Sequence, residues 1–301
     1  MITPPFLRPG DTVAVLAPAS PFPYDDLQRA FHVLRHDWQL TVLEGAHLQA
    51  SAGAFAGPDP QRLADLQTAI NDPSVRAIFA ARGGYGSYRL IEALDFTPLL
   101  TQPKWLVGFS DITILLSHLQ QLGMASLHAI MPRQFRLDDT AEAIESLRRW
   151  LFGEMVVPYT AQPNALNRLG TATGTLAGGN LSLLIHALGT SSEVDWAGTL
   201  LFIEDLDETL FWLDRTMIQL RRAGKLANLA GLLVGTFSDM RDNVTTPYGK
   251  TATQIIAEAV AAYTYPVAFN FPVGHEGRNL ALPVGLSGTL AVGEEGTVLR
   301  F

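Results

Sequence analysis

The 301-residue sequence has no cysteine. That absence excludes a disulfide framework, a thiolate nucleophile, a zinc-thiolate site and an iron-sulfur cluster. Any reaction must therefore run on oxygen and nitrogen groups. Charge is sparse, at 17% of residues, and positive charge is the scarcer sign: 21 Lys and Arg face 29 Asp and Glu, a formal net charge of -8. A nucleic-acid partner needs a positive field, so none is expected. Long apolar runs are missing as well. Stretches such as Leu229–Phe237 (LAGLLVGTF) fall well short of the roughly 20 residues that span a bilayer, and no membrane partner is expected. The opening MITPPFLRPGDTVAVLAPAS has a short apolar core like that of an export leader, but prolines, Arg8 and Asp11 interrupt the approach to it. It reads as a buried first strand of a cytoplasmic protein. Internal repeats, low-complexity tracts and blocks of like charge are also lacking.

What is present is apolar material for a real core: 48% hydrophobic residues, with 26 Gly and 18 Pro to punctuate it. The length suits one large domain or two of ordinary size. The first half alternates β-branched or apolar runs, at 12–17, 40–43, 75–80 and 105–108, with amphipathic stretches at 25–37, 59–71, 87–94 and 111–122. That alternation predicts an α/β domain with a parallel sheet and crossover helices over residues 1–153. Residues 154–173 lose periodicity and collect Pro, Asn, Gln, Thr and Gly, which predicts a linker. Residues 174–301 then predict a smaller mixed α/β domain: strands at 199–203 and 231–236, helices at 208–222 and 251–263, and a tail of short strands broken by Gly and Pro.

Four strand exits carry candidate chemistry. In Gly108-Phe109-Ser110-Asp111-Ile112 a serine sits on a tight strand-to-helix turn, where its hydroxyl is exposed and the Asp111 N–H can serve a developing oxyanion. The pattern resembles a nucleophile elbow, GxSxG, with Ile112 in place of the second glycine; a helix N-cap is the competing reading of Ser110. In Arg82-Gly83-Gly84-Tyr85-Gly86 the glycines can present N–H groups to an anion, but GxGxxG fails, because Gly84-Tyr85-Gly86 runs on into Ser87-Tyr88-Arg89. In Phe202-Ile203-Glu204-Asp205-Leu206-Asp207-Glu208 the carboxylates could orient a histidine or cap the next helix; HExxH and EF-hand spacing are absent, and no metal is expected. In Gly274-His275-Glu276-Gly277-Arg278 the histidine stands on a Gly-bounded loop between apolar runs. Of the seven histidines, His32, His36, His118 and His186 fall in helical patterns, while His47 and His128 do not and stay open. Ser110, Glu204 and His275 occur in the order nucleophile, carboxylate, histidine, each at a strand exit.

The motifs GDTVAVLAPAS, ARGGYGSYRL, GFSDIT, LAGGNLSLL, LFIEDLDE and GHEGRNLALPVG together resemble the murein L,D-carboxypeptidases, the serine peptidase family that also contains the microcin C self-immunity peptidases. The resemblance runs nearly end to end. It implies a flavodoxin-like or class I amidotransferase-like first domain, a smaller second domain, and an active site where the two meet. It implies Ser110 as nucleophile, Glu204 as the acidic member and His275 as base. The oxyanion hole would be the N–H groups of Asp111 and Gly84, with Gly83 as second choice. No cofactor is implied. The substrate would be a small peptide or muropeptide, the reaction hydrolysis of the meso-diaminopimelate–D-alanine bond of a murein tetrapeptide, and a homodimer would be in keeping. Arg82 and Arg89 are the candidate clamps for the terminal carboxylate. Two alternatives remain open: the same triad acting on peptidyl or aminoacyl nucleotides, which calls for an aromatic such as Trp150, Trp196 or Trp212 to stack on the base, and a non-catalytic nucleotide-binding protein.

Overall fold

A computed structural model describes residues 1–154 and 158–301. In chain order its strands are β1 (Thr12–Leu16), β2 (Thr41–Glu44), β3 (Val75–Ala80), β4 (Trp105–Gly108), β5 (Ser126–His128), β6 (Tyr159–Ala161), β7 (Gly170–Asn180), β8 (Thr199–Leu206), β9 (Gly231–Ser238), β10 (Val267–Ala268), β11 (Leu282–Val284), β12 (Ser287–Gly293) and β13 (Gly296–Arg300). They form two sheets in two compact units, Met1–Val156 with Gly277–Gly285, and Val157–Glu276 with Leu286–Phe301.

The first unit carries the order β11-β5-β4-β3-β1-β2, in which β1 to β5 are parallel and β11 is antiparallel. Read from the other edge, 2-1-3-4-5 is the flavodoxin-like order, with its switch point between β1 and β3. The central strands are largely apolar because helices cover both faces; Val13, Val15, Phe79, Trp105 and Val107 are fully buried, whereas the edge strand β2 is mostly exposed. The segment 24–37 is helical throughout, by 3-10, α and π turns in succession. Residues 87–94, expected as a helix, instead make two short 3-10 turns, Ser87–Arg89 and Ile91–Ala93. Gly86 at φ 138° just before them and the amide of Ser87 committed to a distant carboxylate leave no regular N-terminus to start from.

The second unit orders its strands β10-β9-β8-β7-β12-β13-β6, with β7 to β10 parallel and the rest antiparallel. Its core gathers Leu184, Trp196, Leu213, Met217 and Ile256 from the covering helices and loops against Leu201, Ile203, Leu232 and Val234 of the sheet. The architecture is α/β in the first unit and mixed α/β in the smaller second one.

Two expectations from the sequence need correction. Of the expected linker 154–173, residues 155–157 lie outside the described residues, but Tyr159–Ala161 and the first residues of β7 are strands. Thr and Gly can take extended backbone wherever a partner strand is offered, and β13 and β12 offer it. Second, 277–285 was expected within the C-terminal domain, yet Leu282–Val284 pairs with Ser126–His128 and completes the first sheet. Pro283 is tolerated there because β11 is an edge strand, free to lack one donor.

Candidate active site

The nucleophile candidate stands at the end of β4. Ser110 has φ 60°, a left-handed backbone that L-residues avoid and that pushes the side chain of a strand-to-helix corner outward. It opens a 3-10 turn, Ser110–Ile112, that runs directly into the helix Thr113–Gln121. The missing second glycine of the elbow is explained by the first. A Cβ on Gly108 would lie 2.8 to 3.0 Å from the side chain of Ile112, so Gly108 supplies the space that Ile112 fills.

The Gly-rich turn after β3 meets this corner. A Cβ on Gly83 would be 3.2 Å from Ser110 Cβ and 3.4 Å from its Oγ. Gly84, at φ 106°, is closed upon by Ser20, whose side chain a Cβ there would overlap. Ser20 in turn donates its N–H to Gly83 O (3.2 Å) and accepts the Tyr85 N–H at Oγ (3.0 Å). Among the described residues, neither the Gly84 nor the Asp111 N–H donates to a protein acceptor. The Asp111 side chain is buried and accepts the Ser87 N–H at 2.8 Å, tying the two turns together. Burial raises its pKa, against the opposing pull of the Ser87 and Gly86 hydrogen bonds.

Arg62, absent from the sequence reading, locks the same region. Its buried guanidinium donates to Pro18 O (2.5 Å), Gly86 O (2.9 Å) and Gly57 O (3.2 Å) and pairs with Asp59. Only its helical position in 59–71 is visible in sequence; nothing local marks it as an anchor.

In the second unit the structure brings Glu204 and His275 together: Nδ1 of the imidazole is 2.7 Å from Oε2 of the carboxylate. Glu204 is fully buried, and the His275 side chain is 14% exposed. A shift in the β8–β9 register sets Glu204 opposite both Gly235 and Thr236. A Cβ on Gly235 would strike Val273 O at 2.3 Å and Glu204 Cβ at 3.3 Å, so this glycine lets the chain leading to His275 pass close to Glu204. Gly274, at φ 137°, turns the backbone into the histidine. Burial depresses the imidazole, but the charge of Glu204 and its hydrogen bond, with Asp205 adding to both, leave the pKa of His275 above its ordinary value. Asp205 has a different task. It takes hydrogen bonds from Asn180 Nδ2 (2.8 Å), the Ser182 N–H and Oγ (both 2.9 Å) and the Leu206 N–H (2.9 Å). Burial and then Glu204 push it up to about 6.

The other candidates separate. Arg82 is half-buried and donates to Pro21 O. Arg89 is taken by Asp59 at 2.7 and 2.8 Å on the surface. His128 is fully buried on β5 against Phe109, 3.3 Å from Asn279 Oδ1, and is a core residue. His47 pairs with Asp65 at 2.8 Å. Trp150 and Trp196 are buried, Trp196 donating to Glu193 (2.9 Å), and Trp212 packs against the second core.

The first unit thus holds a serine on a strained corner of a flavodoxin-like frame, and the second a histidine fixed by a buried carboxylate. Comparison with known proteins gives the family. Residues 13–129 match the LD-carboxypeptidase N-terminal domain and residues 173–290 the LD-carboxypeptidase C-terminal domain, and the chain belongs to the LD-carboxypeptidase family, peptidase S66. It is 36% identical over 301 residues, 99% of this chain and 94% of the relative, to a probable murein peptide carboxypeptidase of Bacillus subtilis. Among solved structures, the muramoyltetrapeptide carboxypeptidase from Oxalobacter formigenes matches with TM-score 0.84 at 29% identity, covering 96% of this chain and 97% of that one. The microcin C7 self immunity protein MccF has TM-score 0.86 but 18% identity, over 100% and 99% of the two chains, a likeness of fold alone.

Proposed function

We propose that this protein is a serine-type L,D-carboxypeptidase that hydrolyses the meso-diaminopimelate–D-alanine bond of murein tetrapeptides. Family membership carries the reading, together with the Glu204–His275 pair and the Ser110 corner. With Nδ1–H donated to Glu204, the lone pair of the neutral imidazole is on Nε2, the atom assigned to take the Ser110 proton. The Ser110 oxygen then attacks the scissile carbonyl, and the Gly84 and Asp111 amides stabilise the resulting oxyanion. D-Alanine departs with the proton from His275, and water cleaves the acyl-serine by the same steps in reverse roles. Glu204 stabilises the imidazolium at both stages. In this reading the enzyme acts in the cytoplasm on recycled muropeptides, and the family likeness makes a homodimer the expected assembly.

The test is to incubate the purified protein with murein tetrapeptide and, separately, with an aminoacyl-adenylate analogue, identifying products by mass. D-Alanine release from the tetrapeptide, lost by at least about 10³-fold in Ser110→Ala with the fold intact, is the expected result. Unchanged release by that variant would sink the assignment of the nucleophile; cleavage of the adenylate alone would move the substrate.

A further inference from the structure

The first unit holds a cluster of guanidinium groups beside the nucleophile corner that the mechanism above does not use. Its members come from three strand exits. Asp26 follows β1, Arg82 follows β3, and Arg133 and Arg136 lie on the 3-10 turn Pro132–Arg136 after β5. The Arg133 N–H donates to Ala81 O at 3.0 Å, which seats this turn against the end of β3. Asp26 receives both arginines of the turn, Nε of Arg133 at 2.9 Å and Nε of Arg136 at 3.4 Å. Arg82 extends to Pro21 O on the β1 exit, and its pKa is lowered by burial and then by the charge of Arg133. The arginines therefore feel one another.

Two guanidinium groups thus share one carboxylate, with Arg82 near enough to feel the charge of Arg133, in a protein with a net charge of -8. Shared acids occur elsewhere too, Asp59 between Arg62 and Arg89 and Glu145 between Arg148 and Arg149, while Arg278, Arg241 and Arg35 each take one acid, Glu142, Asp207 and Glu44. The location also points to a ligand. Exits of β1 and β3 flank the switch point of the flavodoxin-like order, where open sheets bind anionic groups. Arg82 precedes Gly83, and Arg133 is two residues from Met131. Ser110 and the Met131 methyl both close on Gly83, within 3.2 to 3.4 Å of where its Cβ would be. The side chains of Arg133 and Arg136 are 29% and 45% exposed, enough to meet a solute.

We infer that Arg133, with Arg82 and Arg136, is the site that binds the free terminal carboxylate of the peptide substrate, and that Asp26 positions the Arg133 fork for it. The inference rests on the carboxypeptidase reading above and names the group that makes the enzyme an exopeptidase. Arginine suits the task because its fixed fork matches a carboxylate by two parallel hydrogen bonds. Asp26 keeps the cluster from repelling itself while leaving an excess of positive charge for the incoming anion.

The experiment compares the full-length protein on murein tetrapeptide with a free terminal D-alanine and on the same peptide ending in D-alanine amide. The wild type is expected to favour the free acid in kcat/KM by roughly ten- to a hundredfold, the size of a lost charge-assisted pair. Arg133→Gln should erase most of that preference, chiefly by raising KM for the acid. Arg136→Gln, on the more exposed member, should give a smaller loss of the same kind and keeps the test open if Arg133→Gln does not fold. A wild-type preference that survives in both variants overturns the carboxylate site and leaves the peptidase reading standing. No release of D-alanine by the wild type from either peptide overturns the peptidase reading, and this site with it.

Discussion

Glu204 and His275 are 71 positions apart in the chain and 2.7 Å apart in space, and their chemistry follows from that contact. His275 must be neutral to accept a proton, and its pKa lies above 6.5 because Glu204 outweighs the burial that pulls it down. kcat/KM should therefore rise with pH through a midpoint above 6.5. Glu204→Gln removes the raising partner but not the burial, so the midpoint should move to lower pH, while turnover drops by roughly 10⁴-fold. A pH profile of D-alanine release on both proteins checks the two effects together. The raised value also has a sign for stability: the proton on His275 contributes stability at pH below 6.5, and that contribution is lost as the pH rises through the folded-state pKa. At this scale Ser110, Glu204 and His275 could be singled out in the sequence by their order and their places at strand exits. Arg62, Ser20 and Arg133 could not, since arginine in a helix or serine after a strand is the commonest of surface choices until the tertiary contacts are known.

Among the elements, the loops after β1, β3 and β4 behave as one construction. Arg62 on the helix Asp59–Asn71 clamps the carbonyls of Pro18 and Gly86 from two of them, and Asp111 reaches from the third to the Ser87 amide. Replacing the guanidinium by an apolar chain of similar length, Arg62→Met, would leave those carbonyls without their donor inside the protein, while Asp59 keeps Arg89. The expected cost is about 1–3 kcal/mol of stability for each buried carbonyl left unsatisfied, read as a lower midpoint in urea unfolding, with activity falling further than folded protein does because the Gly-rich turn loses its support at Gly86. Most strands and helices here could be read from period and punctuation. The stretch after Gly86 could not: its apolar spacing is helical, but the chain spends the Ser87 amide on Asp111 rather than on a first helical turn.

On the scale of the molecule, neither compact unit is one continuous piece of chain. Residues 277–285 leave the C-terminal part of the sequence to give the first sheet its last strand, β11, whose Leu282 is fully buried opposite His128. Leu282→Ala should cost about 2–5 kcal/mol. Hydrogen exchange on the full-length protein should show the amides of Ser126–His128 losing protection, with those of β7, β8 and β12 nearly unchanged. Loss of protection centred on the second sheet would contradict this division. Among the described residues no helix is long and apolar enough to cross a membrane.

The sequence alone determined the α/β class, four of the five parallel strands of the first sheet, and the identities and order of serine, glutamate and histidine, because these are written in local periodicity and in residue types placed at strand ends. Tertiary structure decided which of those residues touch, which arginine is an anchor and which is left with spare charge, and to which sheet β11 belongs. The physical reason is that hydrogen-bond satisfaction, burial and strand pairing are properties of pairs distant in the chain. Arg133 and Arg136 look like any other arginines as letters, and only the folded chain gives them one Asp26 to share.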